Sequence, residues 1–321
     1  MDNLIFALNA SVPVFLMMVI GYFLRSVKII DEPFASRMNT FVFKISLPVL
    51  VFNDLAVVDF SKGWNGKFVL FCFFVTCISI LVSFLLSFCI RGGTNEEEHR
   101  SLRGEFIQAS YRSSAALLGL AFIQNIYGTS GMGPLMIIGS VPLYNIFAVI
   151  VLTVFSPDNK KLDSKTLKKT FIGVLKNPII IGIAAGLLWS LLSVPMPGIL
   201  QKTVTNIGNT AMPLGLIAMG ASFDLKKAFG KSLQALVVAF MKLVGFAAIF
   251  LPVAIYLGYR DDYLVAILVM LGSATTVSCF VMAKNMGHEG TLTSAAVMLT
   301  TLFSAFTLTM WLYILKSMGY I

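Results

Sequence analysis

Charge is what this chain has least of. Only 12% of its 321 residues are Asp, Glu, Lys or Arg, against about 25% in ordinary globular domains. The acids number fifteen, and none falls in the middle of a long apolar run. There are two histidines, four cysteines and three tryptophans. Each scarcity excludes something. No His, Cys, Asp or Glu cluster has metal-ligand spacing, so no metal or other cofactor is expected. Cys72, Cys77, Cys89 and Cys279 sit within or at the ends of apolar runs and read as small core residues. An intramembrane enzyme needs paired carboxylates or a Ser–His arrangement inside such runs, and none is there. His288-Glu289 lacks the second histidine of a zinc-protease motif. Met1–Asn3 has no basic stretch, so the first apolar run does not read as a cleaved signal peptide.

What the chain has in excess is apolar side chain. Hydrophobic residues make up 57%, with 27 Phe, more than one soluble core can hide. A helix crosses the hydrocarbon with about 20 apolar residues. Charge-free runs of that length cover 4–24, 68–90, 113–157, 177–201, 203–223, 263–283 and 290–315. Gly128, Gly131, Gly133 and Pro134 divide the longest into spans near 105–125 and 133–155. Two further segments, 34–53 and 233–257, carry one lysine each, Lys44 and Lys242. The sum is ten spans. Sixteen Lys and Arg fall in the odd-numbered loops and four in the even-numbered ones. The odd loops are therefore cytoplasmic and both termini extracytoplasmic. The net charge of +9 is this inside bias, so the expected environment is the bilayer of the cell membrane and not a nucleic acid.

The two halves match at a constant offset of 165 residues: Pro13 with Pro178, Gly21 with Gly186, Pro48 with Pro213, Asp59 with Asp224. Five spans per half is an odd number, so the second half enters from the opposite side. Such inverted repeats are typical of secondary transporters, whose halves exchange conformations during alternating access.

The stretches PVFLMMVIGYFLR (13–25), FVFKISLPVL (41–50), NPIIIGIAAGLL (177–188) and TAMPLGLIAMGASFDLKK (210–227), with the tail VSCFVMAKNMG, carry a family likeness. In their order and spacing the chain resembles the auxin efflux carrier family, in particular short bacterial members described as malate or malonate permeases. The resemblance implies an all-α membrane protein of ten helices in two inverted five-helix repeats, similar to bile-acid-symporter folds. Residues 1–157 would be the first repeat, 158–170 a basic cytoplasmic linker and 171–321 the second. Helices 1, 2, 6 and 7 would form a scaffold. Helices 3–5 and 8–10 would form a transport domain, with broken helices 4 and 9 crossing at the substrate site. The family's R-x-N-x-G-x-x-G-x-P pattern in helix 4 is here Arg112 to Ala121, with Ser114 at the Asn position and Ala121 at the Pro position. In helix 9 the usual A-P-T-A is Ser273-Ala274-Thr275-Thr276. Both crossover prolines are replaced, so Ser, Gly and Thr must carry the breaks.

Three basic residues, Lys44, Arg112 and Lys242, sit inside spans without an obvious acidic partner. An isolated charge there costs roughly 2.5–3.5 kcal/mol. Either the side chain snorkels or an anionic substrate is the counter-ion. The expected substrate site gathers Arg112, Ser113 and Ser114 from helix 4, Tyr144 and Asn145 from helix 5, and Ser273, Thr275 and Thr276 from helix 9. Ser46 and Asn209 are symmetric candidates beside Pro48 and Pro213, which with Pro142 are expected as kinks. Asn53 and Asp54 would line an outer vestibule. With no mid-span carboxylate, and with His99 and His288 in cytoplasmic loops, a buried carboxylate relay is not expected. Coupling to Na+ or H+ stays open, as does transport driven by the anion's own gradient. The leading function is an elevator-like carrier of a small organic anion: malate, malonate or an auxin-like acid. A transporter-like sensor without flux and an anion channel are the alternatives. A homodimer through the scaffold helices is also open, since Gly182-x-x-x-Gly186 permits close packing.

Overall fold

A computed structural model describes residues 2–56, 65–90, 92, 95–115, 120–128, 131–157, 172–173, 175–192, 194–224 and 231–321. The described residues are helical almost throughout. In chain order the helices are α1 (Asp2–Ser26), α2 (32–56), α3 (Gly66–Leu86), α4a (Glu96–Tyr111), α4b (Leu120–Tyr127) and α5 (Gly133–Val154). Then come α6 (Pro178–Leu192), α7 (198–221), α8 (Ser232–Tyr256), α9a (Asp262–Gly272), α9b (Ser278–Asn285) and α10 (Thr291–Ser317). Among these, α3, α5, α8 and α10 are long and apolar enough to cross a membrane. Wide apolar faces, such as Leu70, Phe74, Leu81 and Leu85 on α3, are exposed, as the lipid-facing side of a span must be.

Local chemistry sets the helix starts. Asp31 Oδ1 accepts the N–H of Phe34, Asn65 Oδ1 that of Phe68 and Asn95 Oδ1 that of Glu98, at 2.8, 3.1 and 2.8 Å. Each caps an orphan donor. Glu96, Glu97 and Glu98 add negative charge to the first turn of α4a, where the dipole favours it. Kinks also have local causes. α2 widens into a π turn at Val42–Ser46, just before Pro48, whose missing N–H would have met the Lys44 carbonyl. α8 has a second π turn at Met241–Gly245, and the indole N–H of Trp311 donates to the Leu243 carbonyl there at 3.1 Å. α7 bends at Thr210, and the two bent helices meet through a 2.7 Å hydrogen bond between Ser46 Oγ and Thr210 Oγ1. One expected span is corrected. The run 177–201 does not continue as a helix past Leu192, because Pro195 and Pro197 lack the donors that the next turn needs. The chain resumes as α7 at Gly198.

Glycines bring backbones into contact. A Cβ on Gly21 would stand 2.3 Å from the Ile217 carbonyl oxygen, and one on Gly186 2.8 Å from that of Phe52. Both members of these pairs are related by the 165-residue offset. The α1–α7 contact thus mirrors the α6–α2 contact. Gly182 meets the Pro48 carbonyl in the same seam, so the Gly182/Gly186 pair is used within the chain. Overpacking such a seam costs about 1–3 kcal/mol. At Gly220 a Cβ would lie 2.0 Å from the Met18 carbonyl oxygen, whereas at Gly173 it would meet nothing within 4 Å. Gly220→Ala should therefore lower the thermal unfolding temperature and Gly173→Ala leave it unchanged. Equal melting of the two variants would contradict the tight seam.

Among the described residues, side-chain hydrogen bonds gather helices into two groups. One group joins α2 and α7, through Ser46–Thr210 and Gln201–Asn53. The other joins α3, α4, α5, α8, α9 and α10. Asn65–Tyr263, Arg100–Val154, Lys231–Glu289 and Asp261–Tyr320 are examples. Asn285 Nδ2 links the groups, donating to the Asn39 carbonyl at 3.2 Å.

Candidate functional site

The α4 and α9 segments are each interrupted, and the interruptions meet. α4a ends at Tyr111 and α9a at Gly272, after which Arg112 and Ser273 are extended. Ser113 and Thr275 form an antiparallel bridge, in which the Ser114 N–H donates to the Ala274 carbonyl at 3.0 Å. A helix end leaves carbonyls without partners. Here each broken helix caps the other. Ser113 Oγ donates to the Met270 carbonyl of α9a, and Thr275 Oγ1 to the Ala109 carbonyl of α4a at 2.9 Å. Tyr144 OH adds a second donor to Met270 at 3.0 Å, and Lys242 Nζ donates to Leu271. The breaks therefore persist without proline, held by hydroxyls from the opposite half of the chain. Thr275→Val keeps the shape but strands the Ala109 carbonyl. A lost buried bond of this kind costs about 1–3 kcal/mol, read as a lower unfolding temperature. Because both hydroxyls serve one crossing, adding Ser113→Ala should give a non-additive double-mutant cycle; strict additivity would mean the two caps act separately.

Arg112 lies at this crossing and is 2% exposed. Its Nη2 donates to Asn145 Oδ1 and to Ser278 Oγ, both at 2.8 Å. Its Nη1 faces Gln108 Oε1 at 3.4 Å and Met282 Sδ at 2.9 Å. Its Nε is buried with no acceptor. Among the described residues no carboxylate pairs with it. The nearest acid in sequence, Glu105, is committed elsewhere: it accepts the N–H of Gly290 at 2.8 Å and of Thr293 at 3.0 Å, capping α10. The α9b helix begins beside the guanidinium, at Ser278, where its first N–H groups and dipole also favour an anion. Ser278, Met282 and Asn285 share one face of α9b. That face leads from Arg112 towards a cavity of about 1160 Å³ between α1, α2, α7 and the 286–291 connection. Asn39 and Asn285 stand on its wall.

Of the residues expected from sequence, the structure brings Arg112, Ser113, Ser114, Tyr144, Asn145, Ser273, Thr275 and Thr276 to the crossing. Ser273 Oγ is buried there without a partner, and Thr276 Oγ1 lies 3.2 Å from Ser278 Oγ. Ser46 pairs with Thr210, and Asn209 is exposed, so neither joins the Arg112 cluster. Pro48 and Pro213 lie on the α2 and α7 kinks, and Pro142 lies inside α5, two residues before Tyr144. Asn53 accepts from Gln201 at 2.8 Å, and neighbouring Asp54 is half-buried. Lys44 is exposed, whereas Lys242 is fully buried. The family glycine position, Gly119, lies outside the described residues.

Sequence reasoning missed Gln108, Ser278 and Met282. Gln108 had a signal, one turn before Arg112; Ser278 and Met282 reach Arg112 from 166 and 170 residues away. It also placed His288 in a loop, as it is, but not as a buried group. His288 Nδ1 lies 3.1 Å from Ser101 Oγ, and Nε2 lies 2.8 Å from the Leu152 carbonyl. At the same end Lys231 bridges Glu289 at 2.8 Å and Glu98 at 3.4 Å. Burial works against its charge, but the Glu289 hydrogen bond and the Glu289, Glu105 and Glu98 charges hold its pKa above the ordinary lysine value. These ties fasten α4a, α5, α8 and the α9b–α10 connection together.

A family model described as "Membrane transport protein" matches residues 6–312. The chain is also 25% identical to a Rhizobium meliloti protein named "Putative malonate transporter", across 95% of this chain and 94% of that one. The chain thus belongs to the membrane transport protein family, auxin efflux carriers among them, and is a multi-pass membrane transporter rather than an enzyme.

Proposed function

We propose that the protein is a secondary carrier for a small carboxylate, with Arg112 as the counter-charge of the substrate. The observation that carries this reading is a buried guanidinium whose four hydrogen-bond partners are neutral, with one unused N–H and no acid among the described residues. A permanent charge in that setting is costly. A bound anion removes the cost for as long as it stays. The Rhizobium meliloti relative is named for malonate, which makes malonate the first substrate to test, with malate and lactate beside it.

In this reading the ten helices form two inverted five-helix repeats, 1–157 and 171–321, in the cell membrane with both termini outside. The mirrored glycine contacts and the reciprocal caps at the crossing support the repeat. α1, α2, α6 and α7 are the scaffold, and α3–α5 with α8–α10 the transport domain. The division of hydrogen bonds into two groups supports that division. The cavity between the bodies opens at the end where the basic loops lie, so the conformation faces the cytoplasm. Sliding of the transport domain would carry Arg112 and its anion across, as in an elevator.

Counterflow tests it. Liposomes preloaded with unlabelled malonate should take up labelled malonate faster than empty ones, because the loaded carrier returns sooner. A channel shows no such acceleration, and a sensor binds malonate without moving it. Either result would overturn the carrier reading.

A further inference from the structure

The four hydrogen-bond partners of Arg112 named above are not equivalent. Each side chain among them that offers an oxygen is held by a second bond. Asn145 is fixed through its Nδ2 to the Val141 carbonyl at 3.0 Å, and Gln108 through its Nε2 to the Cys279 carbonyl at 3.0 Å. Ser278 Oγ is tied to Thr276 Oγ1 at 3.2 Å. Met282 Sδ has no such second tie among the described residues. A thioether is also the weakest acceptor of the four, on an unbranched chain that changes rotamer readily. Met282 is fully buried, one turn from Asn285, which borders the cytoplasmic cavity. The side chain therefore stands on the face of α9b that connects that cavity with Arg112.

We propose that Met282 is a displaceable stand-in for a carboxylate oxygen of the substrate. It occupies Arg112 Nη1 in the empty site, swings aside when the anion arrives and returns when the anion leaves. Met282 is then a specificity-determining residue that sets affinity by competing with the substrate. This rests on the reading of Arg112 as the anion's partner. The competition is weak by construction, so the site is covered when empty yet open to a carboxylate, whose charged hydrogen bond is roughly twice as strong as a neutral one.

Two substitutions should move affinity in opposite directions. Met282→Leu keeps the volume and removes the acceptor, so the competitor is gone. Met282→Gln puts an amide oxygen, a much better acceptor, in the same place. Calorimetric titration of the purified protein with malonate should show Kd falling about fivefold in Met282→Leu, equivalent to about 1 kcal/mol. In Met282→Gln it should rise about tenfold. A purely structural role would weaken binding in both variants or in neither. Either pattern, with Arg112→Gln still abolishing binding, would overturn the stand-in and leave the carrier reading intact. Native-like binding by Arg112→Gln, or no binding of malonate, malate or lactate by the native protein, would remove both. If Met282→Gln does not fold, Met282→Ile joins Met282→Leu as a second variant lacking the acceptor. Both must then bind malonate more tightly than the native protein.

Discussion

Arg112→Gln should abolish malonate binding while leaving the protein folded. The carboxylate loses the guanidinium that faces it in a buried site, and removing one partner of such a pair costs about 2–5 kcal/mol. A loss of about 100-fold in Kd corresponds to about 2.7 kcal/mol, and at least that much is expected. The fold should tolerate the change, because the guanidinium is itself a buried charge with no carboxylate partner among the described residues. Gln keeps a polar side chain at the crossing, and Asn145 keeps its own bond to the Val141 carbonyl. Arg112→Lys should lie between, because a point-like ammonium keeps the charge but not the planar fork. Titration calorimetry with a parallel melting curve separates these effects. Native affinity in Arg112→Gln would mean that the anion binds elsewhere.

Glu105→Ala should produce the largest loss of stability among single changes away from the crossing. The carboxylate is 1% exposed and accepts three hydrogen bonds, from the N–H groups of Gly290 and Thr293 and from Thr293 Oγ1. These donors open α10, a helix of 27 residues, whose positive end the charge also offsets. Removing a buried acceptor at a helix start leaves its donors unsatisfied. About 3 kcal/mol is expected, from charge-assisted bonds of about 1.5–3 kcal/mol each less the relief of burying a charge. Glu105→Gln keeps one acceptor oxygen and should lose about half as much. Thermal unfolding gives the magnitude, and hydrogen exchange at 291–294 gives the place. Unchanged exchange there would show that α10 does not depend on this cap.

The spans were legible because the hydrocarbon thickness dictates their length. The apolar runs at 68–90, 133–155, 233–257 and 290–315 correspond to α3, α5, α8 and α10. The α2 kink was legible too, since Pro48 removes a donor locally. The break in α9 was not: 263–283 reads as one uninterrupted apolar run, and only the family likeness implied an interruption. What ends α9a is a hydroxyl of Ser113 and the amine of Lys242, from distant parts of the chain. No local pattern encodes such a partner. The π turn at Met241–Gly245 is similar, because its freed carbonyl is satisfied by Trp311, 68 residues on. Glu105 carries no local sign of its role either: it stands at the start of an apolar run and serves a helix 185 residues away. Within the site, Arg112 and Asn145 were legible as polar groups stranded in apolar sequence. Ser278 and Met282 were not, because a serine and a methionine in a span look like ordinary packing.

The most direct measurement is uptake of labelled malonate into liposomes under an inside-positive potential. It should be made for the native protein and Arg112→Gln, with no cation gradient and then with imposed sodium or proton gradients. Saturable uptake by the native protein in at least one of these conditions, absent in Arg112→Gln in all of them, is the predicted result. Equal uptake by the two proteins, or no uptake by the native protein in any condition, would contradict it.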